Sequence, residues 1–386
     1  MTPAARVAAA IEILDAIANG SAAEQALTRW ARASRYAGSK DRAAVRDHVF
    51  DALRRRQTAA SLGGGTSGRA LMLGLMRAQN LDPAEIFTGL GHAPPPLSSE
   101  ELAAGDSQDD PAQIWDFPEA LRPELVRSLE ERAFRTAEAL KDRAPITLRV
   151  NKAKTTRAAA REQLHAEGIT SVENPLCDTA LTVTDGARKL RNSGCYLNGL
   201  VELQDAASQA VVAALPAARK CLDFCAGGGG KALALAAQPD RTVYAHDAEP
   251  ARMRDLQARA ARAGCNITEV STAALKTNAP YDLVLCDVPC SGSGAWRRSP
   301  DAKWRLTSER LAELTVIQDA ILDQVMPLIA PQGVLAFATC SIFKAENEDR
   351  VAAFLGRHPN WKCTFERRFD VTPQGDGFYS AHLTPV

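Results

Sequence analysis

The sequence predicts an α/β protein in which a doubly wound parallel sheet follows an all-helical N-terminal domain. From Lys220 onward, short apolar strands alternate with helical patterns, which is typical of a parallel sheet covered by helices on both faces. Residues 4–57 instead repeat apolar side chains at the spacing of amphipathic helices. At 386 residues the chain has room for about two or three domains.

Two apolar faces support the helical domain. Each is defined by residues about one and two helical turns apart, namely Val7, Ile11 and Leu14, then Val45, Val49 and Leu53. A glycine-rich break is predicted over 61–68, and a further helix over Arg69–Arg77. The predicted division is a helical domain at 1–95, a Pro-, Ser- and acid-rich linker at 96–117, a helical bridge with a small α/β subdomain at 118–215, and the doubly wound domain at 216–386.

Strands are predicted where short apolar runs end in small or polar residues. In the C-terminal domain these runs are Cys221–Cys225, Val243–Ala245, Asp282–Cys286 and Val334–Ala338. An earlier strand is predicted at Ile146–Val150, and a helix follows it through Leu164.

The composition predicts a soluble cytoplasmic protein, with 46% hydrophobic and 24% charged residues. No apolar stretch reaches the ~20 residues that span a bilayer. Glu12 and Asp15 interrupt the first apolar stretch, so no signal peptide is predicted. The nine cysteines are odd in number, and the closely spaced pairs Cys221/Cys225 and Cys286/Cys290 have no histidine nearby at zinc-ligand spacing. They therefore predict neither a disulfide framework nor a metal site.

Charge is balanced overall but unevenly distributed. The chain has 46 basic and 46 acidic residues, which argues against indiscriminate binding of nucleic acid. Residues 1–70 carry eleven basic and six acidic side chains, whereas the stretch 82–131 is acidic. An arginine-rich helical module could contact phosphates, and solvated helix faces would explain the same composition equally well.

Two cysteines follow two different predicted strands. Cys290 comes shortly after the run 282–286, and Cys340 shortly after the run 334–338. Ligands bind at the carboxyl ends of the strands in an open α/β sheet. Two thiols at this edge of the sheet suggest covalent catalysis, with one thiol as nucleophile and the other as an acid/base or resolving group. Taken singly, a cysteine in such a place is more often a small buried apolar residue.

A strand, a glycine turn and a helix are predicted in succession over 221–231. Such a turn lets backbone amides approach a nucleotide-like cofactor. Gly227-x-Gly229-x-x-Ala232 fits the dinucleotide fingerprint, whereas a P-loop is excluded because Ala232 stands where it needs Ser or Thr. The third interpretation is an S-adenosylmethionine loop, with Asp247 after the next strand holding the ribose hydroxyls. The two thiols favour this interpretation, since a hydride transferase has no use for them.

Three motifs occur together in the order and spacing of one family, namely Asp223-Phe224-Cys225-Ala226-x-x-Gly229-Gly230-Lys231, Asp287-x-Pro289-Cys290-Ser291-Gly292 and Thr339-Cys340-Ser341. On these motifs the chain resembles, over nearly its whole length, the RsmB (Sun/Fmu) type of RNA (cytosine-5) methyltransferase. Further similar elements are Arg149-Val150-Asn151, Gln204-Asp205-x-x-Ser208-Gln209, Arg297-Arg298-x-Pro300-Asp301-x-Lys303-Trp304, Glu346-Asn347 and Asp376-Gly377-Phe378-Tyr379-x-Ala381. The helical N-terminus, at 41–46 and 53–55, is similar to a NusB-like RNA-binding domain.

The resemblance implies a class I S-adenosylmethionine-dependent methyltransferase with a Rossmann-like sheet and two RNA-binding parts, the NusB-like domain and the small α/β subdomain. Its implied partner is rRNA, with tRNA as an alternative, and we expect a monomer that binds no metal and no membrane. The cofactor-binding residues implied are Cys225, Ala226, Gly227, Gly228, Gly229, Gly230, Lys231, Asp247, Arg252 and Asp287.

The chemistry explains why such an enzyme needs two thiols. Carbon 5 of cytosine is a poor nucleophile until a thiolate adds to carbon 6. A base must later remove the proton from carbon 5 so that the thiolate can leave. The resemblance assigns the attack to Cys340 and the release to Cys290. It also implies that Asp287 hydrogen-bonds the base edge or the cofactor's amino group, and that Lys231 lies near the reacting base.

Two departures from the family pattern bear on the cofactor. Gly228, and with it Gly227, replaces the usual Ala-Pro, which is expected to loosen the turn. Thr272 stands where an acidic residue is expected to bind the adenine amino group. These departures leave open an RNA-binding or ribosome-assembly factor without turnover. Pro289-Cys290 leaves open a DNA cytosine-5 methyltransferase with Cys290 as nucleophile, although Thr339-Cys340-Ser341 and the NusB-like domain argue against it.

Overall fold

The computed structural model describes residues 1–104 and 113–386, so residues 105–112 of the predicted linker lie outside the described residues. The described chain divides into two compact units. The helical unit comprises Met1–Arg122, Ala137–Arg143 and Trp296–Arg305. The α/β unit comprises Pro123–Thr136, Ala144–Ala295 and Leu306–Val386. Within these described ranges, no helix is both long enough and apolar enough to cross a membrane.

The elements are numbered in chain order. The helices are α1 (Pro3–Ala18), α2 (Ala23–Ala33), α3 (Ser39–Arg54), α4 (Arg56–Gly63), α5 (Gly68–Ala78), α6 (Ser99–Ala103), α7 (Arg122–Leu129), α8 (Ala133–Ala139), α9 (Arg157–Ala166), α10 (Gly194–Leu197), α11 (Ala206–Ala213), α12 (Gly230–Ala236), α13 (Leu256–Ala263), α14 (Pro300–Arg305), α15 (Ser308–Val325) and α16 (Glu348–Arg357). The strands are β1 (Ile146–Val150), β2 (Thr170–Glu173), β3 (Ala180–Asp185), β4 (Val201–Leu203), β5 (Lys220–Asp223), β6 (Thr242–Ala245), β7 (Ile267–Glu269), β8 (Tyr281–Asp287), β9 (Ile329–Thr339), β10 (Trp361–Phe369) and β11 (Phe378–Pro385).

The helical unit is built on the apolar faces that the sequence predicts. On α1 and α3, every residue of the two predicted faces is buried except Ile11, which is only partly covered. Helices α4 and α5 pack with their backbones in close approach at two glycines. A Cβ added to Gly63 would lie 1.9 Å from the Ala70 carbonyl oxygen, and one added to Gly74 would lie 1.8 Å from that of Ala59. No larger residue fits at either position.

The helical unit also includes 296–305, a segment that lies far along the chain from its other residues. Lys303 in this segment is buried and donates hydrogen bonds to the carbonyl oxygens of Arg54 (3.1 Å) and Asp116 (2.5 Å). The Asp116 carboxylate in turn accepts hydrogen bonds from the backbone amide and the hydroxyl of Thr58, in the first turn of α4. Thus one buried lysine joins three segments of this unit.

The α/β unit contains a four-stranded antiparallel sheet in the order β2-β3-β1-β4. Strand β1 has the predicted bounds, and the predicted helix that follows it is α9. Strands β2 to β4 were not predicted. They have three to six residues each, and β2 and β3 have several exposed positions, so the apolar pattern that identifies a strand is weak.

The larger sheet of this unit has seven strands in the order β10-β11-β9-β8-β5-β6-β7. All four strands predicted here, β5, β6, β8 and β9, are confirmed, although β9 begins earlier than expected, at Ile329. Side chains alternate between two core layers: Leu283 and Leu285 of β8 pack on one face, and Val284 and Cys286 on the other.

The predicted sheet is corrected in one respect, because it is not parallel throughout. Strand β11 runs antiparallel to both β9 and β10. No helix separates β10 from β11, so the chain returns directly alongside the strand it has just left, and this requires an antiparallel pair.

Candidate active site

A cavity of about 500 Å³ opens at the carboxyl ends of β5 and β8, where ligands bind in open α/β sheets. It is lined by Gln204, Ser208, Asp223, Cys225, Ala226, Gly227, Gly228, Gly230, Lys231, Arg252, Asp287, Val288, Pro289, Cys290 and Cys340. Most of the residues predicted for the site therefore border one space. Gly229 and Asp247 do not line it directly.

The two predicted cysteines meet at this cavity because β8 and β9 are neighbouring parallel strands. Their register pairs Asp287 with Ala338, so the loops that follow leave the sheet side by side. The Cys290 and Cys340 Sγ atoms are 3.4 Å apart and share a hydrogen bond. This hydrogen bond, burial, and the charges of Cys340 and Glu346 raise the pKa of the Cys290 thiol well above its ordinary value.

Lys231 and Asp287 form an ion pair at the same cavity. The Lys231 Nζ atom donates a hydrogen bond of 2.6 Å to Asp287 Oδ2 and lies 5.2 Å from the centre of the Phe378 ring. Burial opposes the charge of Lys231, but the Asp287 carboxylate, with a contribution from Cys340, raises the pKa of Lys231 above its ordinary value. A positive charge is therefore held beside the Cys340 side of the thiol pair.

The glycine turn between β5 and α12 needs glycine at two positions. Gly227 and Gly229 have φ angles of +51° and +80°. A Cβ on Gly229 would also lie 2.2 Å from Leu256 Cδ1. Two hydrogen bonds hold the turn, since Arg259 donates to the Gly228 carbonyl oxygen and the Gly227 amide donates to Asp247 Oδ2 at 2.9 Å. The turn that the sequence predicts to be loose is therefore fixed on both sides.

Asp247 lies just beyond the end of β6 and is buried. Besides the Gly227 amide, its carboxylate accepts a hydrogen bond of 3.0 Å from the Glu249 amide and pairs with Arg252 at 3.3 Å. Asp247 and Arg252 thus form one unit with the glycine turn, and Arg252 reaches the cavity wall.

Asp223 is a site residue whose role sequence reasoning missed. It is the last residue of β5, is 1% exposed, and lines the cavity. Neither of its carboxylate oxygens accepts a hydrogen bond within normal geometry, although the Ala232 amide favours its charged form. Burial, and then the charge of Asp287, raise the pKa of Asp223 to about 7. The signal available in the sequence was an acidic residue at the end of an otherwise apolar strand.

His246 was also missed, and it explains how Thr272 is held. The His246 Nδ1 atom is 2.8 Å from the Phe224 carbonyl oxygen, which can only accept, so Nδ1 carries the proton. In the neutral imidazole, the Nε2 atom is then an acceptor for the Thr272 hydroxyl at 3.0 Å. Because the Thr272 hydroxyl donates its hydrogen bond to His246, its oxygen can only accept hydrogen bonds from other groups.

Among the residues that the structure describes, no group of three or more His, Cys, Asp or Glu side chains is placed to hold a metal ion.

The arrangement of sheet, glycine turn and cavity is that of a class I methyltransferase. Two family models match the chain: "16S rRNA methyltransferase RsmB/F" over residues 211–384, and the ferredoxin-like domain of RsmF/B-like methyltransferases over residues 117–188.

Curated relatives agree with these models. The chain is 32% identical over 293 residues to ribosomal RNA small subunit methyltransferase B of Erwinia tasmaniensis, an alignment that covers 71% of this chain and 68% of the relative. The protein of that name from Photorhabdus laumondii is 31% identical, with 69% and 66% covered. A probable one from Bacillus subtilis is 32% identical, with 56% and 50% covered. The chain belongs to the RsmB/F family of 16S rRNA methyltransferases.

The alignments span between half and about two thirds of these relatives' own lengths.

Solved structures share the fold. The crystal structure of PH0851 superposes with a TM-score of 0.74 at 21% identity, covering 100% of this chain and 99% of that one. NSun6 from Pyrococcus horikoshii, solved with SFG, gives 0.60 at 18% identity, covering 70% and 98%.

Proposed function

We propose that this protein is an S-adenosylmethionine-dependent RNA (cytosine-5) methyltransferase that acts on rRNA through a covalent cysteine adduct. The observation that carries the proposal is the pair of thiols 3.4 Å apart on the loops that follow two adjacent parallel strands, bordered by the Lys231–Asp287 ion pair. Carbon-5 methylation of a pyrimidine needs a nucleophile for carbon 6 and a base for the proton on carbon 5.

The residues around the cavity fit S-adenosylmethionine. Asp223 is a buried carboxyl group with no hydrogen-bond donor of normal geometry, and a ligand with positive charge would supply what it lacks. The glycine turn leaves its backbone accessible because side chains are excluded there, and Asp247 lies next to it at the end of β6. S-adenosylmethionine carries a cationic ammonium group and supplies an electrophilic methyl group on a cationic sulfonium.

Thr272 compensates for the missing acidic residue. Its hydroxyl donates to His246, and so its oxygen can accept only, as a carboxylate would. An acceptor in this position, near the carboxyl end of β7, suits the amino group of the cofactor's adenine. We therefore assign adenine recognition to the pair of Thr272 and His246.

The two thiols divide the reaction on the base. Cys340 attacks carbon 6, and the electron pair of the double bond between carbons 5 and 6 becomes available at carbon 5 for the incoming methyl group. Lys231 stabilises the negative charge on the Cys340 side before the attack. Asp287 has one oxygen bound to Lys231, and its other oxygen is available to the base edge.

Cys290 serves the release step. The hydrogen bond to Cys340 and the charge of Cys340 keep Cys290 protonated, and both causes end when the Cys340 sulfur is bonded to carbon 6. The pKa of Cys290 then falls, although burial and the charge of Glu346 still raise it, and the release step requires that this thiol give its proton to solvent. The Cys290 thiolate takes the proton from carbon 5 as the bond from carbon 6 to the Cys340 sulfur breaks, which regenerates the Cys340 thiolate.

The helical unit supplies phosphate contacts. Many of its arginines are already used internally: Arg54, for example, bonds the Arg297 carbonyl oxygen, and Arg69 pairs with Glu101. The cations that are exposed, and whose side chains form no hydrogen bond or ion pair within the described ranges, are Arg29, Arg32, Arg35, Lys40 and Arg42. They occupy α2, α3 and the connection between these helices, and they form the surface that we propose for the RNA backbone.

Denaturing gels of the protein incubated with rRNA fragments and labelled cofactor test the proposal. Cys340→Ala should give no covalent adduct and no product. Cys290→Ala should methylate once and remain joined to the RNA, because only the release step is lost. A labelled adduct with Cys340→Ala and none with Cys290→Ala would reverse the assignment and favour the mechanism of the DNA enzymes. No adduct and no methyl transfer by the unmodified protein on any RNA would favour a protein that only binds RNA.

A further inference from the structure

Glu346 is completely buried and connects the loops of both cysteines. Its Oε1 atom accepts a hydrogen bond of 2.8 Å from the backbone amide of Ser291, the residue after Cys290. Its Oε2 atom accepts hydrogen bonds of 2.5 Å from the hydroxyls of Ser291 and Ser341, the second of which follows Cys340. One carboxylate thus bonds the immediate neighbour of each thiol.

A fourth donor completes the set. Gln318 on α15 donates from Nε2 to Glu346 Oε1 at 3.0 Å, and the same nitrogen donates to the Pro289 carbonyl oxygen at 3.0 Å. Both partners of this nitrogen can only accept, which fixes the orientation of the amide group. The Cys290 loop is therefore attached to Glu346 directly and also through Gln318.

The protons in this network indicate the charge of Glu346. Ser341 donates its one hydroxyl proton to the carboxylate, while its oxygen accepts from the Phe343 amide. The Ser291 hydroxyl is 2.5 Å from the carboxylate and 3.1 Å from Ser293 Oγ, and we assign its one proton to the shorter contact. Four neutral groups donate to Glu346 and none accepts from it, so the group that fits is a deprotonated carboxylate, which accepts only. A buried negative charge is stable here because hydrogen-bond donors surround it.

This charge makes the surroundings of the two thiols unequal. The negative charge of Glu346 acts on Cys290, whereas the positive charge of Lys231 acts on Cys340. Two sulfur atoms 3.4 Å apart cannot both carry a negative charge at low cost. When one of the two thiols ionises, these charges therefore favour Cys340, which faces Lys231, over Cys290.

We propose that Glu346 is a positioning residue that aligns both cysteine loops and keeps the remaining proton of the thiol pair on Cys290, so that Cys340 is the nucleophile. The inference rests on the proposed function, because it explains how one of two adjacent thiols is selected for the attack. The proposal gives Glu346 a role that it performs through the two cysteine loops, without itself reacting with the base.

Thiol alkylation tests this proposal without any RNA. The full-length protein is treated briefly with iodoacetamide between pH 7 and 9, and the label on each cysteine is quantified by peptide mass spectrometry. In the unmodified protein, Cys340 should react before Cys290. Glu346→Gln keeps the shape but removes the charge, and it should raise the ratio of Cys290 to Cys340 labelling by about tenfold, the effect of one pKa unit.

Glu348→Gln is the matched control. Glu348 lies two residues away, but its carboxylate pairs with Arg368, which donates to the Ile342 carbonyl oxygen, and it bonds neither cysteine nor the serine that follows each. This variant should label as the unmodified protein does. A folded Glu346→Gln protein with an unchanged labelling ratio would overturn the proposal, even if methyl transfer by the unmodified enzyme is demonstrated. A failure to methylate RNA, with the ratio shifted as expected, would instead count against the proposed function alone.

If Glu346→Gln does not fold, the double variant Ser291→Ala/Ser341→Ala removes both hydroxyl hydrogen bonds and retains the charge, which detaches the carboxylate from the Cys340 loop and leaves the Ser291 amide and Gln318 to hold the Cys290 loop. We expect the labelling order to be kept and kcat for methyl transfer to fall, while KM for RNA stays the same. Unchanged kcat would show that the alignment of the Cys340 loop does not depend on its hydrogen bond to Glu346 and would overturn the positioning role.

Discussion

Lys303 of the helical unit and Lys231 of the α/β unit are both buried, but they differ in what surrounds them. In the helical unit, Lys303 is 1% exposed and its ammonium group donates to two backbone carbonyl oxygens. In the α/β unit, Lys231 is 8% exposed and faces the carboxylate of Asp287. Burial lowers the pKa of Lys303 to about 7, whereas Asp287 raises the pKa of Lys231 above its ordinary value.

The difference shows how the surroundings decide the use of a buried charge. Carbonyl oxygens accept the hydrogen bonds of Lys303, and the nearby Asp116 carboxylate, which also pairs with Lys141, offsets only part of the cost of burial, so the group joins segments and is readily neutralised. A carboxylate balances the charge of Lys231, which therefore persists at the edge of a cavity. The hydrogen bonds of Lys303 join segments of the helical unit, whereas the charge of Lys231 is available for chemistry in the α/β unit.

The strongest test of this comparison exchanges each lysine for methionine. Lys231→Met should lower the rate of methyl transfer by about 10²-fold, because it removes a fixed positive charge from beside the attacking thiol. Lys303→Met should leave that rate essentially unchanged. Single-turnover rates of the two variants, with melting temperatures to confirm folding, provide the measurement. An equal loss of methyl-transfer rate in both variants would show that the two buried lysines do not differ in their contribution to catalysis.

The second prediction concerns stability and pH. The pKa of Lys303 is about 7 in the folded protein and 10.5 ordinarily, so between these pH values the unfolded chain binds more protons. Stability should therefore rise with pH across this window, by up to about 1.4 kcal/mol per pH unit from this group. Urea unfolding of the protein and of Lys303→Met from pH 6 to 10 isolates the effect, since the difference in unfolding free energy between them should change with pH. A constant difference would contradict the prediction.

Asp223 extends the comparison to a buried acid. The pKa of Asp223 is raised to about 7, so the carboxyl group becomes ionised as the pH rises through neutrality. A cationic cofactor should bind the ionised form, and its affinity should increase between pH 6 and 8 by about tenfold, with release of a proton. Calorimetry in two buffers of different ionisation enthalpy measures that proton. Asp223→Asn should bind more weakly and lose the pH dependence; a retained dependence would assign it to another group.

The smallest expected effect concerns charges on the surface of the helical unit. Replacing Arg29, Arg32 and Arg35 by Gln should reduce the slope of log affinity for RNA against log salt concentration by about 0.7 for each phosphate that the variant no longer neutralises. Arg46→Gln is the control, since Arg46 pairs with Glu24. Filter binding over a salt series provides the slopes. An unchanged slope in the triple variant would place the RNA surface elsewhere.

The sequence by itself determined the elements and motifs whose pattern is local. The apolar faces of α1 and α3, strand β1, and the four predicted strands of the larger sheet follow from short-range periodicity. The family motifs identified both cysteines, Lys231 and Asp287 as site residues, because each motif is contiguous. The short strands β2 to β4, and strands β10 and β11 with the antiparallel direction of β11, escaped prediction, since pairing partners rather than local pattern define them.

Only the tertiary structure decided which groups surround each charge. Register between β8 and β9 brings the two thiols within 3.4 Å, and Glu346 reaches both of their loops. The same packing uses Arg54 internally and leaves Arg29 exposed. The state of a charged side chain depends on desolvation and on partners that are distant in the chain, and neither quantity is encoded in the neighbouring residues.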